Sequence, residues 1–154
     1  MITNTLNTIR ATRNHLLKLL EGLTAEQLNQ VPAGFNNNII WNIAHMISAQ
    51  QGICYTRAGQ PIIVDDKYYT PYRPDTKPDG FIGAEEIENI KSLLVTTIDR
   101  LETDYSAGLF TNYPQWATRY GVQISSIEDA INFLPFHEGM HIGYVMAQKR
   151  VITA

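Results

Sequence analysis

Between residues 38 and 57 the chain carries apolar side chains almost all the way round a helical projection: Ile39, Ile40, Trp41, Ile43, Met46, Ile47 and Ile53. A helix without a broad polar face must be covered on nearly every side, so it belongs at the centre of its fold. One stripe differs. At about 100° per residue, Asn38, Trp41, Asn42, His45, Ser48, Ala49, Gly52 and Thr56 share a face. Small and polar residues there leave room beside His45.

Three further segments have helical periodicity. Leu6, Ile9, Leu16, Leu17 and Leu20 predict an amphipathic helix over about 3–21, stopped by Gly22. Ile87, Ile90, Leu94, Ile98, Leu101 and Tyr105 form the stripe of a helix over about 84–105, with Glu85, Glu86 and Glu88 near its positive end. A last helix over about 126–150 starts from Ser125 or Ser126. Thr24-Ala-Glu-Gln27 is a capping box that opens one short turn before Pro32. Residues 59–83 hold Pro61, Pro71, Pro74 and Pro78 together with Tyr68, Tyr69, Tyr72 and Phe81. So many aromatic rings favour an ordered, partly buried crossover over a flexible linker. A second irregular stretch, about 106–125, carries Phe110, Tyr113, Trp116 and Tyr120, with one short strand expected at 122–124. There is no strand–helix alternation that would build a parallel sheet. The expected fold is all-α: a single four-helix-bundle domain over 1–154, with a long crossover between the second and third long helices. Surface scaling for 17.4 kDa gives roughly 7,900 Å² folded, enough burial for one core without disulfide staples.

Composition narrows the function. Charged residues are 18% of the chain and the formal charge is −3. The longest basic run is Lys149-Arg150, so there is no cationic footprint for phosphates and no nucleic acid is expected as partner. Cys54 is the single cysteine, which excludes an internal disulfide and a thiolate metal cluster. Arg10, Arg13, Asn14 and His15 interrupt the first twenty residues, so neither a signal peptide nor a membrane span is expected, and a cytoplasmic location is.

The histidines carry the chemistry. His15 falls about 180° from the leucine stripe of its helix and is expected in solvent. His137 and His141 are one turn apart on one face, a spacing that lets two imidazoles share a cation. That face also carries Ala130, Phe133, Leu134, Tyr144, Val145 and Gln148, so it points into the core. The alternative is a pair of hydrogen-bonded core histidines, each needing both a donor and an acceptor matched. His137-Glu138-Gly139-Met140-His141 also matches the His-Glu-x-x-His zinc motif of metalloproteases, in which the glutamate is the general base. The thirteen residues after His141 contain no His, Asp, Glu or Cys, so a third ligand must lie upstream. His45 is the candidate. Three histidines with one open position form a catalytic type of zinc site. Asn42, Tyr144 and Gln148 are candidate partners for the imidazoles. Glu138, about 100° round from His137, is expected at the pocket rim or surface, as a candidate catalytic base. A di-iron site is rejected, because Glu138-x-x-His141 is the one Glu-x-x-His unit.

The whole chain resembles the DinB/YfiT-like superfamily. The resemblance rests on residues 23–32, on Ile40-Trp-Asn-Ile-Ala-His45, and on Phe136-His137-x-x-x-His141-Ile-Gly. It implies a four-helix bundle with a long crossover, a divalent-metal site on His45, His137 and His141, and frequent homodimers. Relatives include thiol-dependent transferases and isomerases that use bacillithiol, mycothiol or glutathione. Relatives often carry Gln three residues after the last histidine, where this chain has Tyr144.

Two functional classes follow. The first is an enzyme with one divalent metal per chain, zinc or nickel before iron, cobalt or manganese, acting on a small molecule. It would be a thiol-dependent S-transferase or isomerase, with a thiol cofactor, or a hydrolase. Arg13 on a core-facing stripe, with Trp41, Asn42, Tyr144 and Gln148, forms the candidate substrate-binding set. The second is a non-catalytic metal- or ligand-binding homodimer. It is motivated by the last helix, where Phe136, Met140, Ile142 and Met146 extend the apolar surface beyond the core face and Pro135 is expected to bend the axis.

Overall fold

The computed structural model describes residues 2–154. Its long helices are α1 (Thr3–Leu19), α3 (Ile39–Gln50), α4 (Ala84–Ser106) and α5 (Ile127–Ile152). The short α2 (Ala25–Asn29) opens on the capping box, with Thr24 and Gln27 bonding reciprocally. α1 packs on α4 and α5, and α3 packs on the same two, so α1 and α3 lie diagonally across a four-helix bundle. Its accessible surface is 8029 Å², close to the scaling expectation. No helix among the described residues is long and apolar enough to cross a membrane.

All twelve residues of α3 are buried, as a helix lacking a polar face requires. After Gln50 the helix widens into a π-helical turn, Gln51–Thr56. Such turns are rare and frequent near functional sites. α5 continues through Pro135, with Ser126 as N-cap. The expected strand, observed as β2 (Gln123–Ile124), pairs antiparallel with β1 (Trp116–Ala117). The partner strand was not expected, since two residues are too short to show a period.

The crossover docks against the polar stripe of α3. Trp41 Nε1 donates to Thr76 Oγ1 (3.2 Å), His45 Nδ1 bonds the Tyr72 carbonyl (2.7 Å), and Ser48 Oγ donates to the Tyr69 carbonyl (2.9 Å). These residues follow one another at helical spacing, so one face holds three points of the loop. The room expected beside His45 is thus partly filled by backbone. Tyr68 and Tyr72 are buried, as the aromatic content predicts, whereas Phe81 and Tyr120 are exposed.

The core divides into two apolar clusters. Between them lies a polar layer with one residue from each long helix or its end: Arg13, Gln50, Thr97 and Glu138, none more than 2% exposed. Arg13 Nη2 meets Glu138 Oε1 at 2.5 Å, and Arg13 Nε bonds both carboxylate oxygens at 3.2 Å. Arg13 also donates to the Leu94 carbonyl (2.9 Å), Thr97 Oγ1 (3.1 Å) and Gln50 Oε1 (2.9 Å). All five N–H donors of the guanidinium are engaged.

Candidate metal centre

His45 projects from the middle of α3, and His137 and His141 project from one face of α5. The antiparallel contact of these two helices brings the rings together. Ring centroids are 5.1 Å apart for His45 and His137, 4.5 Å for His45 and His141, and 4.6 Å for His137 and His141. One ligand nitrogen from each lies within 4.8 Å of the others.

Hydrogen bonds assign the tautomers. A carbonyl only accepts, so His45 carries its proton on Nδ1, where it meets Tyr72. Its Nε2 lone pair is left free. Asn42 Nδ2 donates to the Asn38 carbonyl (2.8 Å), which turns Asn42 Oδ1 toward His141 Nδ1 (2.8 Å). His141 therefore also holds its proton on Nδ1 and leaves Nε2 free. His45 Nε2 and His137 Nε2 face each other at 3.3 Å. Two tetrahedral ligands at about 2.05 Å from one cation lie ~3.3 Å apart, so this separation fits a shared metal. The buried His137 Nδ1 has no hydrogen-bond partner, so this ring, unlike those of His45 and His141, is not anchored through its Nδ1.

All three rings are held neutral. Burial lowers the His45 pKa, opposed in part by the Tyr72 carbonyl. Burial, then the neighbouring His45, lowers His137 to about 4. Burial, then His45 and His137, lowers His141 to about 3. Neutral imidazoles keep their lone pairs for a metal at ordinary pH.

The other sequence candidates separate. Trp41 stacks on His45, with centroids 4.8 Å apart and planes 8° from parallel. Asn42 orients His141 directly. Gln148 supports Asn42 by accepting from its Nδ2 (3.2 Å), and is itself anchored by donating to the Asn37 carbonyl (2.9 Å). Tyr144 does not take the expected place beside the imidazoles: it is 52% exposed and packs edge-on against Phe35. Glu138 is neither at the rim nor on the surface. It is 1% exposed and paired with Arg13, so the residue next to His137 turns about 100° round the helix into the buried polar layer. Arg13 is equally buried and, with every donor engaged, has no N–H left for a substrate. Its position on an apolar face is explained by Glu138. His15 is exposed, as expected.

Sequence reasoning missed the Tyr72 carbonyl, because a backbone acceptor carries no residue signature. It also missed Arg119. That residue sits in the turn Thr118-Arg-Tyr-Gly121, where a glycine after two polar-capable residues is a turn signal. The positive charge of Arg119 reaches His45 and His137 and opposes their protonation.

In a comparison with known families, the model described as the DinB superfamily matches residues 8–145. No curated protein matches the chain.

Proposed function

The chain belongs to the DinB superfamily, and from that membership and its three convergent imidazoles we propose that it is a divalent-metal-dependent enzyme acting on a small molecule. The reaction is either thiol-dependent S-transfer or isomerisation, or hydrolysis. The observation that carries this reading is the 3.3 Å approach of His45 Nε2 to His137 Nε2 beside His141, with His45 and His141 anchored through Nδ1. His45, His137 and His141 would hold one cation per chain, zinc or nickel by preference. When bound, it supplies a Lewis acid that lowers the proton affinity of a thiol or water. Tyr72 and Asn42 fix two of the rings, and Trp41 shields one face of His45 from water. The chain's own thiol is not the nucleophile. Cys54 is fully buried, and burial pushes its pKa up. The thiol would come from a separate cofactor. Glu138 serves as the charge partner of Arg13 rather than as a base.

A homodimer is part of this reading. Phe136, Tyr144, Met146 and Val151 leave much of α5 apolar and half exposed. Sedimentation at twice the 17.4 kDa chain mass supports it, and sedimentation as a monomer at micromolar concentration refutes it.

Elemental analysis of the purified protein beside His45→Ala and His137→Ala tests the centre. The expected result is about one divalent ion per chain in the wild type and loss of it in both variants with the fold retained. A wild type that takes up no metal after incubation with zinc or nickel overturns the reading. Loss of the fold in both variants points instead to a structural metal.

A further inference from the structure

Where the crossover folds over α3 and the first turn of α4, it encloses a pocket of about 290 Å³ that no histidine lines. Its walls are Ile40, Trp41, Tyr68, Tyr72 and Ile82, with two prolines of the crossover. Hydrogen bonds hold these walls in place. Asn29 Oδ1 accepts from the Ile82 N–H (2.7 Å), and its Nδ2 donates to the Ile82 carbonyl (2.9 Å). Trp41 is tied to Thr76, and Gly80, also on the wall, turns the chain at a φ of 103° that favours glycine. A cavity of about 150 Å³ holds benzene, so this one has room for one ring with a short substituent.

The charges on the pocket cancel, because its lysines are Lys67 and Lys77 and its carboxylates are Asp79 and Glu86. Both oxygens of Glu86 are engaged, by Lys67 (2.8 Å) and by the Tyr68 hydroxyl (2.6 Å). Lys77 and Asp79 are exposed. The side chain of Asn38 is engaged too, accepting from the Trp41 N–H (2.9 Å) and donating to the Asn29 carbonyl (2.8 Å). Tyr72 differs. It is 7% exposed, its carbonyl is taken by His45, and its hydroxyl bonds no group among the described residues. A buried phenol ordinarily finds a partner. Burial, then the charges of Glu86 and Tyr68, raise its pKa, so it stays a donor at ordinary pH. Glu86 and Tyr68 line the same pocket, so the free hydroxyl belongs to its wall.

We propose that this pocket binds a small neutral aromatic molecule with one hydrogen-bond acceptor, such as a carbonyl, seated against Trp41 and Ile82 with its acceptor on the Tyr72 hydroxyl. The apolar walls bury the ring. The one unpartnered buried donor fixes its orientation, as a few placed polar groups do in ligand sites. A carboxylate is disfavoured, because walls without net charge do not offset its loss of hydration. The site adjoins the candidate metal centre without being part of it. Trp41 stacks on His45, and the Tyr72 carbonyl holds the same imidazole. Binding here requires no metal.

Acetophenone, ethylbenzene and benzoate are suitable probes, titrated into metal-free protein while NMR follows the indole N–H signals of its two tryptophans, Trp41 and Trp116. Acetophenone is expected to shift the Trp41 signal saturably and to leave that of Trp116 in place. It is expected to bind about fivefold more tightly than ethylbenzene, the scale of one neutral hydrogen bond. Benzoate is expected to bind more weakly than acetophenone. Tyr72→Phe removes only the hydroxyl, so it should abolish the preference for acetophenone while the affinity for ethylbenzene and the melting temperature stay unchanged. No saturable shift at Trp41 overturns the proposal. So does equal affinity of wild type for acetophenone and ethylbenzene, or a preference that survives Tyr72→Phe. Benzoate binding more tightly than acetophenone overturns the neutral class and points to Lys77 as the contact.

Discussion

Asn42 uses both ends of its side chain on the candidate centre. Its amide nitrogen is held by the Asn38 carbonyl and by Gln148, and its oxygen receives the His141 Nδ1 proton. A ligand oriented in this way loses less freedom on binding metal and is more basic at its other nitrogen. Asn42→Ala removes the acceptor and leaves the ring free to turn. Zinc affinity, measured by competition with a chelator, should fall about ten- to a hundredfold. Unchanged affinity would mean that the contact only packs. His45 has no equivalent test, because its acceptor is the backbone of Tyr72. Its orientation depends instead on the crossover staying docked.

At the scale of elements, the bundle is pinned by the polar layer between its two apolar clusters. Arg13 reaches α4 through Leu94 and Thr97, α5 through Glu138, and the end of α3 through Gln50. A buried ion pair is weak evidence for net stability, since desolvation offsets much of its attraction. Breaking it from one side is different, because the remaining charge has no partner. Arg13→Met should therefore destabilise by about 3–5 kcal/mol in urea unfolding. The double variant Arg13→Met/Glu138→Leu should recover most of that loss, because no unpaired charge is left in the core. Glu138 adjoins His137 on α5, so a retained zinc affinity in the double variant would show that the layer sets stability rather than the metal site. A double variant as unstable as the single one would refute the account of the layer.

For the whole molecule, the histidine cluster makes stability depend on pH. In the folded, metal-free chain His137 and His141 protonate only near pH 4 and 3, and His45 also lies below its ordinary value. In the unfolded chain all three protonate near about 6.5. Between those limits the unfolded state binds more protons, so stability is full above about pH 6.5 and falls as pH is lowered toward 4. The window from about pH 6.5 to 5 is diagnostic, because ordinary carboxylates stay charged there. Urea midpoints of the metal-free protein should fall across it, and His137→Ala/His141→Ala should flatten the dependence. A flat wild-type profile would mean that the rings are not desolvated as described. Zinc binding should steepen the same trend, since protons compete for its ligands.

What the sequence determined by itself was local. Helical periodicity placed the four long helices within a few residues of their ends, and the apolar stretch over about 38–57 predicted the central helix, whose α-helical part, 39–50, is buried on every side. The capping box and Ser126 work through neighbours three residues away. The His137/His141 pair is a consequence of helical spacing alone, and adding His45 needed only a mid-helix histidine on a small, polar stripe. Tertiary structure decided what distant segments do to one another. Glu138 became a buried partner of Arg13, 125 positions away, where local geometry placed it near the surface. Tyr144 moved outward, and its expected role went to Asn42 and to a backbone carbonyl of the crossover. The pairing of β1 with β2, and the position of Arg119 beside the histidines, depend on a turn packing against α5. Periodicity records which face of an element is apolar. Which partner meets that face, and which polar group is left to complete a site, is settled by packing between residues that the chain order keeps apart.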